Sequence, residues 1–444
     1  MFRAAHSLGL ILVAMSFTAP ASAREAQKLA ELRQRLRADN AELIARDPAR
    51  ARAKLERMAE SAYTYFRGFN ADVQRAFADR DVALPRLVLN GDVHPMNFGP
   101  VRLRTGQLVF APNDHDEAAF APFAWDLRHG ALGFELAGRE LGFGKKVRAA
   151  AVQAFLAGYL ATLEAYPVRA AAPLPSLEQP LPAVLRRFFA DASARTPANV
   201  AARFLDGATG QFRASEKVTP RPELKAALAA PLRAYLRTLP PAAATELGRY
   251  ELVDVAQKLT SGVGSLGLGR YLLALAPRAG RRGAPIVLEL KEERRSAVAL
   301  VAEPQGEAFA HHGERVLSAR RRVLDGGERF DGATTYAGAG YLVTEVGPHE
   351  CDLDWTTLRK SEVPEVARAC GAALAASHAR SQTLRPHRER SVAAQLLEAL
   401  PAPQAFVEAL ARDAVVDADR TAKDYRRFLR LYRDGTLLPE APGR

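Results

Sequence analysis

Cysteine is almost missing from this chain: Cys351 and Cys370 are the only two in 444 residues. A four-cysteine zinc site and a disulfide framework are thereby excluded. One bridge remains arithmetically open, but spacing alone gives no distance between the two thiols, and both are expected to be free. Lysine is scarce too, with ten lysines among the 62 basic residues. Long apolar runs are lacking, so no segment reaches the roughly 20 residues that a membrane-spanning helix needs. There is no zinc-finger spacing, no aromatic-rich basic strand and no internal repeat. The formal net charge of +12 is spread along the chain, densest at Arg281-Arg282, Arg294-Arg295 and Arg320 to Arg322. That spread reads as solvated faces, with no specific nucleic-acid partner.

What is present begins at the N-terminus. Arg3 precedes a short apolar run, Leu8 to Phe17, and Ala21-Ser22-Ala23 follows as a small-residue cleavage site. This is the order of a secretory signal peptide, with cleavage expected after Ala23 and a periplasmic or secreted destination. No cysteine follows the site, so a lipid anchor is not expected. The whole chain is 48% hydrophobic and 25% charged, as in soluble globular proteins. Its length predicts about two to three domain-sized units.

Arg24 to Phe77 has helical apolar spacing, with Pro48 starting a second helix. Short apolar strands are expected at Arg86–Asn90 and Gln107–Ala111. Helices follow over Ala124–Leu141 and Val147–Tyr166, then a Pro/Ala-rich loop from Ala170 to Pro182. Leu185–Leu239 reads as helical. After Tyr250 the texture becomes strand-like, over Glu251–Ala276, Ala284–Glu292 and Tyr341–Val346, with one helix at Gly313–Leu324. Helices return at Val363–Ser381 and Ser391–Leu438. The expected division is residues 24–250, 251–350 as a small β-rich unit, and 351–444.

Asn90 to Asn97 read NGDVHPMN, and Asp114 lies seventeen residues after Asn97, inside NDHDEA. Turn chemistry alone draws Gly, Asp, Asn and Pro into loops. The chemical reading is phosphoryl transfer, which needs an oxygen beside the nucleophile and hard oxygen ligands for magnesium. Both clusters end expected strands whose short link reads as hairpin-like, which would bring them together. Gly262 to Gly267 read GVGSLG. That pattern suits a Rossmann turn or a kinase glycine loop. A Rossmann turn must open a crossover helix. Here RYLLALA, the turn PRAGRRGAP and the strand IVLELKE leave no room for one. A β-hairpin is expected instead, whose Gly262, Gly264, Ser265 and Gly267 let backbone amides approach phosphates. Lys291 in VLELKE has the setting of a kinase phosphate-binding lysine. Glu314 is its candidate partner, with Glu303 and Glu307 also near.

Taken in order, NGDVHPMNFG, NDHDEA, FAWDLRHGA, GVGSLGLGRYLLAL, VLELKE, HGERV and ACGAALAASHARS resemble the bacterial DUF2252 proteins, and YFRG at Tyr65–Gly68 fits the same pattern. These motifs in turn resemble the aminoglycoside and choline kinase group. The resemblance implies Asp92 as the catalytic aspartate, Asn97 and Asp114 as metal ligands assisted by Asp116, and Asp126 as the brace of the catalytic loop. Asn90 stands where that group has histidine. It further implies an α+β, kinase-like two-lobe architecture. The glycine loop and lysine follow the catalytic loop here, whereas in kinases they precede it. GAALAASHARS resembles the helix that normally leads into the catalytic loop. A circularly permuted kinase-like fold is therefore expected, with the helix ending near His378 lying against the strand at Arg86–Asn90.

The expected activity is transfer from Mg-ATP, with both Mg2+ and ATP inferred from the resemblance, to a hydroxyl on an unknown small-molecule or glycan acceptor. An export signal sits awkwardly with a nucleotide donor. Two alternatives follow: an exported, non-catalytic kinase-like module that binds an anionic ligand, or a nucleotidyltransferase on the same scaffold.

Overall fold

The structure is a computed structural model that describes residues 21–166, 173–177, 181–259, 262–302, 308–381 and 391–438. Residues 1–20 of the expected signal peptide, Glu303, Glu307, and residues 170–172 and 178–180 of the Pro/Ala-rich loop lie outside the described residues. The described chain is α+β, as expected.

Capping chemistry sets the first helices. After α1 (Ala21–Asp39) and α2 (Ala41–Arg46), Asp47 accepts from the N–H of Arg50 at 3.0 Å and caps α3 (Pro48–Met58). Pro48 occupies its first position, where no N–H is needed. Ser61 and Thr64 form a reciprocal capping box on α4 (Ala62–Gly68), and α5 (Asn70–Phe77) completes the arm.

Two short antiparallel sheets are nested next. β1 (Arg86–Leu89) pairs with β4 (Ala119–Pro122), and inside that pair β2 (Phe98–Arg102) pairs with β3 (Leu108–Pro112). The sequence had suggested that the strands at 86 and 107 were direct neighbours. Each instead has its own partner. FGPVR and AFAP, the two unforeseen strands, carry proline and few β-branched residues, so nothing in their composition announces pairing.

Helices α6 (Ala124–Glu140) and α7 (Lys145–Ala165) follow, then α8 (Ala183–Ser193) and α9 (Pro197–Phe204). The β-rich unit starts earlier than residue 251. β5 (Val218–Pro220) pairs with β6 (Tyr250–Lys258) across α10 (Lys225–Leu236) and α11 (Pro241–Leu247). β7 (Arg270–Pro277) and β8 (Ile286–Glu293) continue as antiparallel hairpins. After α12 (His312–Val323), β9 (Gly332–Tyr336) and β10 (Ala339–Glu345) complete a sheet of order β5-β6-β7-β8-β10-β9. β6 and β7 pair directly and antiparallel, which excludes the parallel βαβ unit that a Rossmann reading of GVGSLG needs. One sheet face buries Leu273, Leu288 and Leu290 against Leu228 and Tyr235 of α10. The other carries Lys291, and α12 packs there through Val316 and Leu317 on Leu342.

α13 (Glu362–Arg380), α14 (Val392–Glu398) and α15 (Pro403–Arg433) close the chain. The largest core joins α6, α7 and α13 with β1 and β3. At the α7–α13 crossing, a Cβ on Gly371 would lie 1.9 Å from the Phe155 carbonyl oxygen, so glycine sets how closely these helices approach. α1 lies on α15 through Leu32, Leu36, Phe428 and Leu431. Cys351 and Cys370 are both free. Among the described residues no helix is long and apolar enough to cross a membrane.

Candidate functional site

The loop after β1 is held by one buried carboxylate. Asp126, in the first turn of α6, accepts from the backbone N–H of Asn90 at 2.8 Å and of Gly91 at 2.9 Å. The ring of His378, on α13, lies 3.0 Å from the same carboxylate, and the Tyr159 hydroxyl is 2.9 Å from its other nitrogen. Ser381 donates to the Val88 carbonyl at 3.0 Å. The end of α13 therefore lies against β1, as its sequence suggested. Gly91 has a φ of +78°, and its carbonyl accepts from Asn70 and Gln74 at 2.9 Å each. A side chain there would meet the Glu117 backbone oxygen at 2.2 Å.

This loop, the loop after β3 and the β6–β7 turn converge on one cavity of about 130 Å³. Asp92, Asn97, Asp114, Asp116, Gly262, Gly264, Ser265 and Lys291 all line it. Asn97 donates to the Asp92 carbonyl at 2.9 Å and to its carboxylate at 3.3 Å, which leaves the amide oxygen free to act as a ligand. Lys291 reaches Asp114 at 3.3 Å and forms a closer ion pair with Asp116.

Two expected members stand elsewhere. Glu314 does not meet Lys291. It sits in the first turn of α12, 41% exposed, and accepts from the Ala310 N–H at 3.0 Å. Lys291 already has two carboxylates from the NDHDEA loop, so α12 needs to supply none. The helix offers Arg315, which donates to the backbone oxygens of Asp116 at 2.7 Å and Arg294 at 2.9 Å. Gly267 does not line the cavity either. Its carbonyl accepts from Arg46 at 3.1 Å, and a Cβ there would strike Leu43.

Sequence reasoning passed over Arg67, His94, Glu117, Glu293 and Arg294, which also line the cavity. Arg67, His94 and Glu117 lie inside the motifs YFRG, NGDVHPMN and NDHDEA, Glu293 and Arg294 are the two residues after VLELKE, and adjacency was the available signal. His94 is buried, 3.2 Å from Arg67 and 3.6 Å from the Asp92 carboxylate. Burial, then the charge of Arg67, pushes its ring well below the ordinary histidine range, so it is neutral.

The charges are uneven. Burial first, and then Glu117, pushes the Asp92 carboxyl well above the usual range, with Arg67 opposing. Its Oδ1 has no hydrogen-bond partner. Asp114, at the mouth with 40% of its side chain exposed, is the reverse. Desolvation acts to raise it, but Lys291 and the hydrogen bonds from Asp116 outweigh this and hold it below the carboxylate range. Burial and Asp114 push Asp116 up to about 6. Burial would lower Lys291, but the two aspartates more than offset it.

Among the described residues no group of three or more His, Cys, Asp or Glu is arranged around one metal position. Magnesium does not require one, since it usually keeps several waters and takes one or two carboxylates plus substrate phosphates. Asn97 and Asp114 are oxygen donors of that kind.

The family described as an uncharacterised protein conserved in bacteria (DUF2252) matches residues 46–431. The chain belongs to the DUF2252 family. The matched span runs from α2 to the last turns of α15 and contains every cavity-lining residue named above. No curated protein and no solved structure matches this DUF2252 chain.

Proposed function

We propose that this cavity is the phosphoryl-transfer site of a kinase-like phosphotransferase with a circularly permuted, two-lobed fold. One observation carries the reading. Asp114 and Lys291, 177 residues apart, meet in one cavity with Asp92 and Asn97, beneath a glycine-bearing hairpin. The order of motifs differs from that of kinases, yet the end of α13 abuts β1, as an unpermuted kinase chain would connect them.

In this reading Asp92 takes the proton of an acceptor hydroxyl, and burial together with Glu117 raises its affinity for that proton. The acceptor oxygen bonds to phosphorus while the bond to the leaving phosphate breaks, its electron pair staying on the leaving oxygen. Lys291 and the amides around Gly264 hold the phosphates. Asn97 and Asp114 would hold Mg2+, which when bound neutralises charge on the transferring group. The expected donor is Mg-ATP or another phosphoanhydride. A second cavity of about 230 Å³ shares Asp92, Arg67 and Glu117 with the first, and offers the acceptor a separate entrance.

Thermal unfolding with Mg2+ and nucleoside or inorganic phosphates tests this reading. Specific binding must raise Tm with ligand concentration, and Asp114→Ala must abolish the rise. A rise without turnover of any hydroxyl acceptor favours a non-catalytic, anion-binding module. Export is proposed with it, and Arg24 as the first residue of periplasmic protein is the expected N-terminal sequence.

A further inference from the structure

The sheet face that carries Lys291 has two halves. On β8 the side chains alternate, so Val287, Glu289, Lys291 and Glu293 share that face. The half around Lys291 is charged and opens into the cavity. The half around Val287 is apolar, and with Ala256, Leu272, Ala274 and Val346 it makes an apolar floor on the same face as Lys291. That floor is already covered. Phe204, Leu205 and Phe212 pack on it, each 7% exposed or less. The covering segment is fastened at several points. Phe212 donates its N–H to the buried Asp254 carboxylate at 2.9 Å. Leu205 bridges to Phe212, and the Arg213 N–H donates to the Phe204 carbonyl at 2.9 Å.

The cavity that remains is polar. Of its fifteen lining residues, five are carboxylates and four are Arg or Lys, and Leu268 is its one non-glycine apolar residue. Its volume of about 130 Å³ falls below the roughly 300–1,000 Å³ of pockets that enclose drug-sized ligands, and such pockets are mostly apolar. Among the described residues that line this cavity, none gives a purine or pyrimidine a flat apolar surface to stack on. Phosphate oxygens and Mg2+ find both signs of charge. The phosphate part of ATP fits these residues, and its base does not.

We infer that the donor is recognised as a bare phosphoanhydride chain, and that the donor class of this site is inorganic polyphosphate rather than a nucleoside triphosphate. This rests on the phosphoryl-transfer reading and names its donor. The step balances without a nucleotide: the acceptor oxygen bonds to the terminal phosphorus, the anhydride P–O bond breaks, the shortened chain leaves with the electron pair, and Asp92 takes the hydroxyl proton. An exported protein would then need no ATP outside the cytoplasm.

The test is thermal unfolding of the full chain with Mg2+ and equal concentrations of tripolyphosphate, ATP or adenosine. Tripolyphosphate should raise Tm at least as much as ATP, adenosine should not raise it, and Lys291→Ala should remove both phosphate-induced rises. ATP acting at a tenfold lower concentration than tripolyphosphate, or adenosine displacing ATP, would overturn the donor assignment and leave the phosphoryl-transfer reading standing. No rise with any phosphate would overturn both.

Discussion

Asp126 carries three partners at once: two backbone N–H groups and the ring of His378, all buried. Replacing it with asparagine turns one acceptor into a donor facing the N–H groups it should receive. Asp126→Asn is expected to lose about 3–5 kcal/mol of stability, read from urea unfolding. Asp92 should behave oppositely. Its carboxyl is raised in the folded state, so the native protein holds a proton that the unfolded chain has released. That contribution is present at acid pH and is lost as pH rises from the ordinary aspartate value toward the folded one. Asp92→Asn should therefore be at least as stable as the parent at pH 7, with a urea midpoint that falls less between pH 4 and 7. Any transferase activity should drop by about 10²–10⁴-fold, the usual contribution of a general base. The residues of NGDVHPMN and NDHDEA were legible because their chemistry is concentrated in short loops. The partner of Lys291 was not. A helix start offers many acids, and only the fold decides that Glu314 turns toward its own N-terminus while Asp116 takes the lysine.

Long elements were readable, and among the short ones the apolar runs of β1 and β3 were too. α6, α7, α13 and α15 follow from long stretches of helix-forming composition. β2, β4, β5 and β9 have three to five residues each, too few for a period to show, and they exist because neighbours hold them. Pairing β1 with β4 around an inner hairpin is a tertiary choice that no local pattern encodes. The α7–α13 contact was half visible. Its small residues stand out in ACGAALAAS, but their partner, Gly158, does not. A Cβ on Gly158 would lie 2.2 Å from the Arg368 carbonyl oxygen, the counterpart of Gly371 against Phe155. Gly371→Ala must push the two backbones apart. We expect it to cost about 1–3 kcal/mol or more. Because α13 also positions His378, Gly371→Ala should weaken the Mg-phosphate Tm rise beyond its effect on stability. An unchanged rise would show that the brace tolerates movement of the helix.

At the scale of the molecule, the order of elements along the chain and their places in space are separate facts. The six-stranded sheet comes after the Asp92 loop in sequence and lies over it in space. If the fold is a permutation of a kinase-like one, restoring the other order should leave the cavity intact. The chain allows this to be tried. Leu438 packs beside Leu36 on α1, and Arg24, nearer the start of that helix, is about 18 Å away at 1.5 Å per residue. A linker of about twelve residues spans that distance with slack. Opening the chain between Ala194 and Arg195 places the new ends in an exposed stretch, just before the cap of α9. The permuted protein would then run from the sheet through α13 and α15 to the Asp92 loop. It should fold with a urea midpoint near that of the parent and keep the Tm rise with Mg2+ and phosphates. Both cores stay whole, and only a surface connection is exchanged. If it folds but the rise is lost, the cavity depends on the native connections, and the permutation reading fails even though the site residues remain in place.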